Sequence, residues 1–184
     1  IQSRASLGGN LCNASPSADA ICSLIVHETT CEIAGPNGTR EIPVEDMCTG
    51  PGKNALENGE FLVSLKIPLK KGEFSASYER FIPRNEMDIA VAAVASSLEL
   101  SNGKVSSCRV ALAAVGPTPI FAKEASELLV GKEPTDENIK KVSEKAKDIA
   151  SPIADMRGTV EHRKDLIEVL TRRTISKALE RAGG

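Results

Sequence analysis

The sequence predicts an α+β protein. Strand-like runs around tight turns fill most of the chain up to about residue 115, and capped helical patterns follow from residue 122. The two do not alternate as βαβ units would, so the sheet is expected first and the helices after it. The length, 184 residues, suffices for one sizeable domain or two small ones.

Taken in order, the opening stretch SLGGNLCNASPSAD, Ser6 to Asp19, reads as a glycine loop leading into a helix. Ser15 is the expected N-cap and Pro16 the first helical residue. TTCEIAGPNGTREIPV reads as two short strands around a Pro-Asn-Gly turn. MCTGPGKNALENGE is rich in turn formers and reads as loop, which puts a boundary between residues 1–50 and residues 51–184. FLVSLKIP and FSASYERFI are strand-like. DIAVAAVASSLEL carries helix-favouring alanines, yet its near-continuous apolar run suits a strand buried on both faces. The SNGK that follows is a hairpin signal, so VSSCRVALAAV is expected to pair back, with GPTP ending it. Helices are expected over 122–130, over 135–150 and over 159–182. The last presents Val160, Ile167, Leu170 and Ala178 on one face, packed on the sheet.

Composition excludes several classes. A net charge of −2 gives no basic field for nucleic acid. No apolar run approaches the ~20 residues of a membrane span, and no secretory signal pattern is present. The five cysteines, Cys12, Cys22, Cys31, Cys48 and Cys108, form no C-x-x-C pair. They match neither zinc nor plant-type iron–sulfur spacing, so no metal site is expected, and they read as free thiols in a reducing cytoplasm. His162, in the polar run EHRK, reads as a solvated helix residue. The chain begins at Ile1, and its most loop-like motif lies within the first few residues. A further N-terminal segment is therefore expected ahead of it.

The opening motif admits two readings. Gly8 and Gly9 allow backbone N–H groups to approach a diphosphate closely and allow positive φ. Ser6 and Asn10 add side-chain donors, and a helix beginning at Ser15 would aim its amide end at the same anion. Asp19 would repel phosphate, so it suits a ribose hydroxyl or an amide instead. The plain reading is a tight turn, with Asp19 complementing the helix dipole.

The stretch ASLGGNLCNASPSAD resembles the second glycine motif of the flavin-binding subunits of molybdenum hydroxylases, the xanthine dehydrogenase, carbon monoxide dehydrogenase and aldehyde oxidoreductase relatives. FLVSLKIP, YERFIPRNEMDIAVA, VALAAVGPTPI and HRKDLIEVLTRRTI resemble successive signatures of the same subunit, in the same order, so the resemblance covers essentially the whole chain. It implies a fold shared with vanillyl-alcohol oxidase. The chain would supply the end of the central α/β region, to about residue 50, followed by an antiparallel sheet with a C-terminal helical bundle. The family's first glycine loop, of A-G-G type, is not in this sequence.

Carried over by resemblance, Ser6, Leu7, Gly8, Gly9 and Asn10 would contact the diphosphate of FAD, and Asn13 and Asp19 would add polar contacts. Leu62 would lie against the cofactor. Tyr78 would lie near the isoalloxazine, and Arg80 stands where many relatives have Lys. An arginine cation can stabilise electron density on a flavin but cannot act as acid or base near neutral pH. Tyr78 and Arg80, two apart, share one face of their strand. The implied function is the FAD-carrying electron-transfer component of a molybdenum hydroxylase. Molybdopterin and [2Fe–2S] clusters would sit on partner chains, and NAD+ or a quinone would accept the electrons. The expected partners are an N-terminal flavoprotein segment, an iron–sulfur subunit and a molybdopterin subunit. A non-catalytic assembly module without flavin is the alternative from another class. A vanillyl-alcohol-type oxidase is the third, against which the C-terminal signatures count.

Overall fold

A computed structural model describes residues 4–70, 72–84 and 87–183. The architecture is α+β as expected, with antiparallel sheets and helices segregated around them. Asn85 and Glu86, within YERFIPRNEMDIAVA, lie outside the described residues, as does Lys71.

The glycine motif is a helix rather than a loop: α1 spans Leu7–Cys12. Ser6 takes the N-cap, its Oγ accepting from the Gly9 amide at 3.1 Å. Neither Gly8 nor Gly9 is among the residues with positive φ. The helix expected from Ser15 starts later, because α2 spans Asp19–Val26. Ser15 spends its hydroxyl locally, accepting from the Ser17 amide in a turn. The cap of α2 comes from elsewhere, as Asn10 Oδ1 accepts from the Ala20 amide at 3.2 Å.

β1 (Thr30–Gly35) and β2 (Gly38–Pro43) form the expected hairpin. The supposed loop after it holds a short hairpin of β3 (Cys48–Gly50) and β4 (Lys53–Asn54). Positive φ at Gly52 lets that chain reverse. β5 (Phe61–Lys66) pairs with β1, giving a first sheet in the order β2-β1-β5.

The second sheet runs β6 (Glu73–Phe81), β7 (Ala92–Ser101), β8 (Lys104–Ala113) and β9 (Ile120–Phe121), all antiparallel. Asn102 and Gly103, at φ 52° and 74°, make the tight turn between β7 and β8. β9 returns to pair with β8 after GPTP, an addition too short to carry a strand signal of its own. β7 is buried on both faces, as its apolar run implied. Ala92, Val94 and Leu98 face α3 (Lys123–Glu127), α4 (Asp136–Ile149) and α5 (Val160–Gly183). Ala93 and Ala95, with Ala111 and Ala113 of β8, face α2 and the first sheet. These small residues let α2 approach closely, while the larger side chains fill the thicker helical side.

α3 is shorter than expected, and its chain stops at Gly131, φ 78°. α4 starts on Thr135, which accepts from the Asn138 amide at 3.3 Å. On α5, Ile167, Leu170 and Ala178 are buried as expected, but Arg163, Thr171 and Thr174 share that face. Ser96 and Thr174 meet at 2.7 Å there, one hydroxyl donating to the other. All five cysteines are free, Cys12 half-buried and the rest buried. Burial raises the Cys31 thiol to about 11 and the Cys108 thiol to about 12.

An ion-pair cluster ties α2 and the segments flanking the first sheet to β8. Glu28 follows α2 at φ 56° and pairs with Lys70 and Arg109. Arg109 Nε donates to Ile25 O at 2.9 Å and Nη2 to Glu45 at 2.8 Å, with the guanidinium 3.9 Å from the Phe121 ring centre. Because α2 is clamped this way to β8, its first turn is brought over β6.

Candidate functional site

Two groups of candidate residues emerge, joined through Asn10. The first is a groove of about 400 Å³ lined by Ser6, Gly8, Gly9, Cys12, Leu56, Phe61 and Leu62. Gly8 faces Leu62, and a Cβ on Gly8 would lie 3.4 Å from Leu62 Cδ2. A Cβ on Gly9 would lie 2.8 Å from Ser6 Oγ, so the cap itself excludes a side chain there. A helix that starts at Leu7 leaves the Leu7 and Gly8 amides without intrahelical acceptors. The groove thus combines bare backbone on one wall with Leu56, Phe61 and Leu62 on the other. Such a mixed lining fits a flavin nucleotide, whose diphosphate takes amide donors and whose rings take apolar contact.

The second group is Asp19, Tyr78 and Arg80. The alternation of β6 puts Tyr78 and Arg80 on one face, and both reach the carboxylate in the first turn of α2. The Tyr78 hydroxyl donates to Asp19 Oδ1 at 2.9 Å, and Arg80 Nη1 donates to Asp19 Oδ2 at 2.6 Å. Arg80 Nη1 also lies 3.5 Å from Asp88 O. Burial, the Asp19 charge and its hydrogen bond push the Tyr78 phenol well above its usual range. Tyr78 is therefore a neutral donor throughout the physiological pH range.

Asn10 ties the groups together, since it belongs to α1 and caps α2 next to Asp19. Leu7 is 44% exposed on the groove's helix. Asn13 closes α1, its amide donating to Gly9 O at 3.0 Å. Cys12, Leu56 and Phe61 were not anticipated. Asn54 was missed as well; its Nδ2 donates to Cys12 O at 2.8 Å and its Oδ1 accepts from the Leu56 amide at 3.1 Å, holding both walls. The run NALENGEF carries no sequence signal for this beyond its loop composition.

A separate cavity of about 540 Å³ has Arg163 in its lining. Pro16 and Ser17, Ile89 and Ala90, Ala114 and Gly116, and the segment from Ser151 to Arg157 form its walls.

This α+β arrangement sets a glycine-bearing helix beside an apolar strand. Residues 1–70 match the FAD binding domain in molybdopterin dehydrogenase, and residues 77–178 match the CO dehydrogenase flavoprotein C-terminal domain. The chain belongs to this family of molybdopterin-dehydrogenase flavoproteins. The xanthine dehydrogenase FAD-binding subunit of Escherichia coli O157:H7 is 32% identical over 185 residues, taking in 100% of this chain and 63% of that protein. The carbon monoxide dehydrogenase medium chain of Afipia carboxidovorans is 32% identical over 182 residues, 99% of this chain and 63% of the relative. Carbon monoxide dehydrogenase from Hydrogenophaga pseudoflava, in a form lacking the Mo-pyranopterin moiety, superposes with a TM-score of 0.93 at 28% identity, over 97% of this chain and 62% of that one. Quinoline 2-oxidoreductase from Pseudomonas putida 86 does so at 0.88 and 29%, over 98% and 62%. The chain thus spans less than two thirds of the length of these relatives. Among the described residues, no helix is long and apolar enough to cross a membrane.

Proposed function

We propose that this chain is the FAD-holding, electron-transferring part of a molybdenum hydroxylase of the xanthine or carbon monoxide dehydrogenase type. The observation that carries the reading is the Gly8–Gly9 groove, coupled through Asn10 to the Asp19–Tyr78–Arg80 cluster. Ser6, Leu7, Gly8, Gly9 and Asn10 would lie along the diphosphate, with Asn13 and Asp19 adding polar contacts. Leu62 would pack against the cofactor, and Tyr78 and Arg80 would face its ring system. FAD supplies the acceptance and release of electrons in steps of one or two. Arg80 would stabilise negative charge on the ring without exchanging a proton, Asp19 fixes the direction of Arg80, and Tyr78 donates to the other oxygen of Asp19.

Molybdopterin and the [2Fe–2S] clusters belong, on this reading, to partner subunits in the cytoplasm. NAD+ or a quinone would accept the electrons. The fold would be that of vanillyl-alcohol oxidase. On this reading residues 1–50 end the central α/β part and residues 51–184 form the C-terminal part; the family matches themselves cover residues 1–70 and 77–178. The remaining third carried by the relatives would bring the first glycine loop.

Mass spectrometry and a visible absorbance scan of the assembled flavoprotein test the reading together. Stoichiometric FAD in a particle containing this chain, lost on substitution of Gly9, supports it. A colourless assembly with intact partner binding supports the assembly-module alternative instead.

A further inference from the structure

Arg163 lies on α5, on the far side of the second sheet from the glycine groove, and is only 4% exposed. Its Nη1 donates to Val91 O at 2.8 Å and to Ala114 O at 3.1 Å, and its Nη2 donates to Asp155 at 2.7 Å. Its Nε is buried without a partner. A guanidinium buried with one unmet donor costs stability.

Two arms run outward from it. Along the first, the Val91 amide donates to Phe81 O at 2.9 Å, and Phe81 is the neighbour of Arg80 on β6. Along the second, the Ala114 amide donates to Pro16 O at 2.7 Å, three residues before Asp19. Ala114 holds a left-handed φ of 64°, an uncommon conformation for alanine that must be imposed by its surroundings. The arms meet where Arg80 donates to Asp19. The result is a closed ring: Arg163, Val91, Phe81, Arg80, Asp19, Pro16, Ala114 and back to Arg163.

We propose that Arg163 is a positioning residue, which sets the distance and direction of the Asp19–Arg80 pair through Val91 and Ala114 without reaching the pair itself. Its planar fork suits the task, because one rigid group fixes two carbonyls and a carboxylate at once. A lysine's donors all radiate from one nitrogen on a flexible stem, so it holds the two arms less rigidly. The importance of this ring for flavin chemistry rests on the function proposed above; its existence does not.

These 184 residues hold one tyrosine and no tryptophan, so the emission of this chain prepared by itself reports on Tyr78. A carboxylate that accepts a hydrogen bond from a phenol quenches its fluorescence. The folded chain, without added cofactor, is compared as wild type, Asp19→Asn, Arg163→Lys and Asp155→Asn. Asp19→Asn sets the unquenched reference. Arg163→Lys is expected to recover more than half of that increase and to speed exchange of the Ala114 amide by about tenfold or more. Asp155→Asn, which releases one prong of the fork, is expected to move both readings in the same direction. If Arg163→Lys does not fold, Asp155→Asn decides alone. Wild-type emission and wild-type Ala114 exchange in the folded variants overturn the proposal, whatever happens to thermal stability. So does an Asp19→Asn protein no brighter than wild type, since the Tyr78 hydroxyl is then not held against the carboxylate that the ring positions. Failure of FAD to bind leaves these readings intact and removes only the functional reading.

Discussion

The Asp19 carboxylate, in the first turn of α2, and the Arg80 guanidinium, on β6, stand 2.6 Å apart across 61 positions of sequence. The side chains retain 50% and 30% of their exposure. A pair this open contributes only about 0–1 kcal/mol to folding. Its arrangement is therefore better explained by what it faces than by what it stabilises.

Arg80→Ala is accordingly expected to change the fold's stability by less than about 1 kcal/mol. It is expected to slow flavin reduction or reoxidation in the assembled protein by about tenfold or more, the equivalent of roughly 1.4 kcal/mol of barrier. Stopped-flow flavin absorbance and urea unfolding measure the two effects side by side. Wild-type rates in both half-reactions make Arg80 an ordinary strand charge.

Asn10→Ala removes the only side-chain cap that α2 receives among the described residues. The expected cost is about 1 kcal/mol in urea unfolding, with Asn10→Asp close to wild type, since a carboxylate caps equally well. Equal stability of Asn10→Ala and wild type contradicts the capping role.

Arg109→Ala strips partners from Ile25 O, Glu28 and Glu45 and the stacking from Phe121. A loss of about 2–4 kcal/mol is expected, because these partly buried groups are left unpaired. Arg109→Lys should recover only part of it, having neither the fork nor the flat face. Thermal unfolding of both variants checks the order.

Acid weakens the fold in a defined window. Arg40 grips Glu60 with Nε and Nη2, each at 2.8 Å, and the Glu57 amide adds a third bond at 2.7 Å. Together they hold the Glu60 carboxyl down to about 2, from an ordinary value of 4.5. The native pKa lies below the unfolded one, so this contribution is complete above about pH 4.5 and fades as pH falls toward about 2. Glu60→Gln should be less stable than wild type at pH 6, with the difference narrowing through that window. A difference independent of pH contradicts the assignment.

Much of this was legible in the sequence where the signal was local. The Asn102-Gly103 turn and the apolar run before it specified β7 and β8, and Thr135 marked the start of α4. What was not legible depends on groups distant in sequence. Gly8 and Gly9 read as a turn because glycine disfavours helices, but the Ser6 cap and the facing Leu62 override that preference. The start of α2 was displaced because its cap comes from Asn10 rather than from Ser15. The alternation of β6 placed Tyr78 and Arg80 together, whereas their shared partner Asp19 lies in another element. The run EHRK looked polar throughout, and only the tertiary fold shows its Arg163 buried against Val91 and Ala114.

The central claim, that the glycine wall of the groove holds FAD, is tested most directly by titrating the apo form of the assembled flavoprotein with FAD, as wild type and as Gly9→Val. Valine at this position would press on Ser6 Oγ, undo the cap and fill the wall. Each hydrogen bond to a charged group is worth about 1.5–3 kcal/mol. Loss of two is expected to weaken FAD binding by about a hundredfold or more, with partner subunits still bound. An unchanged affinity in a folded Gly9→Val protein would contradict the account and return SLGGN to a plain structural helix.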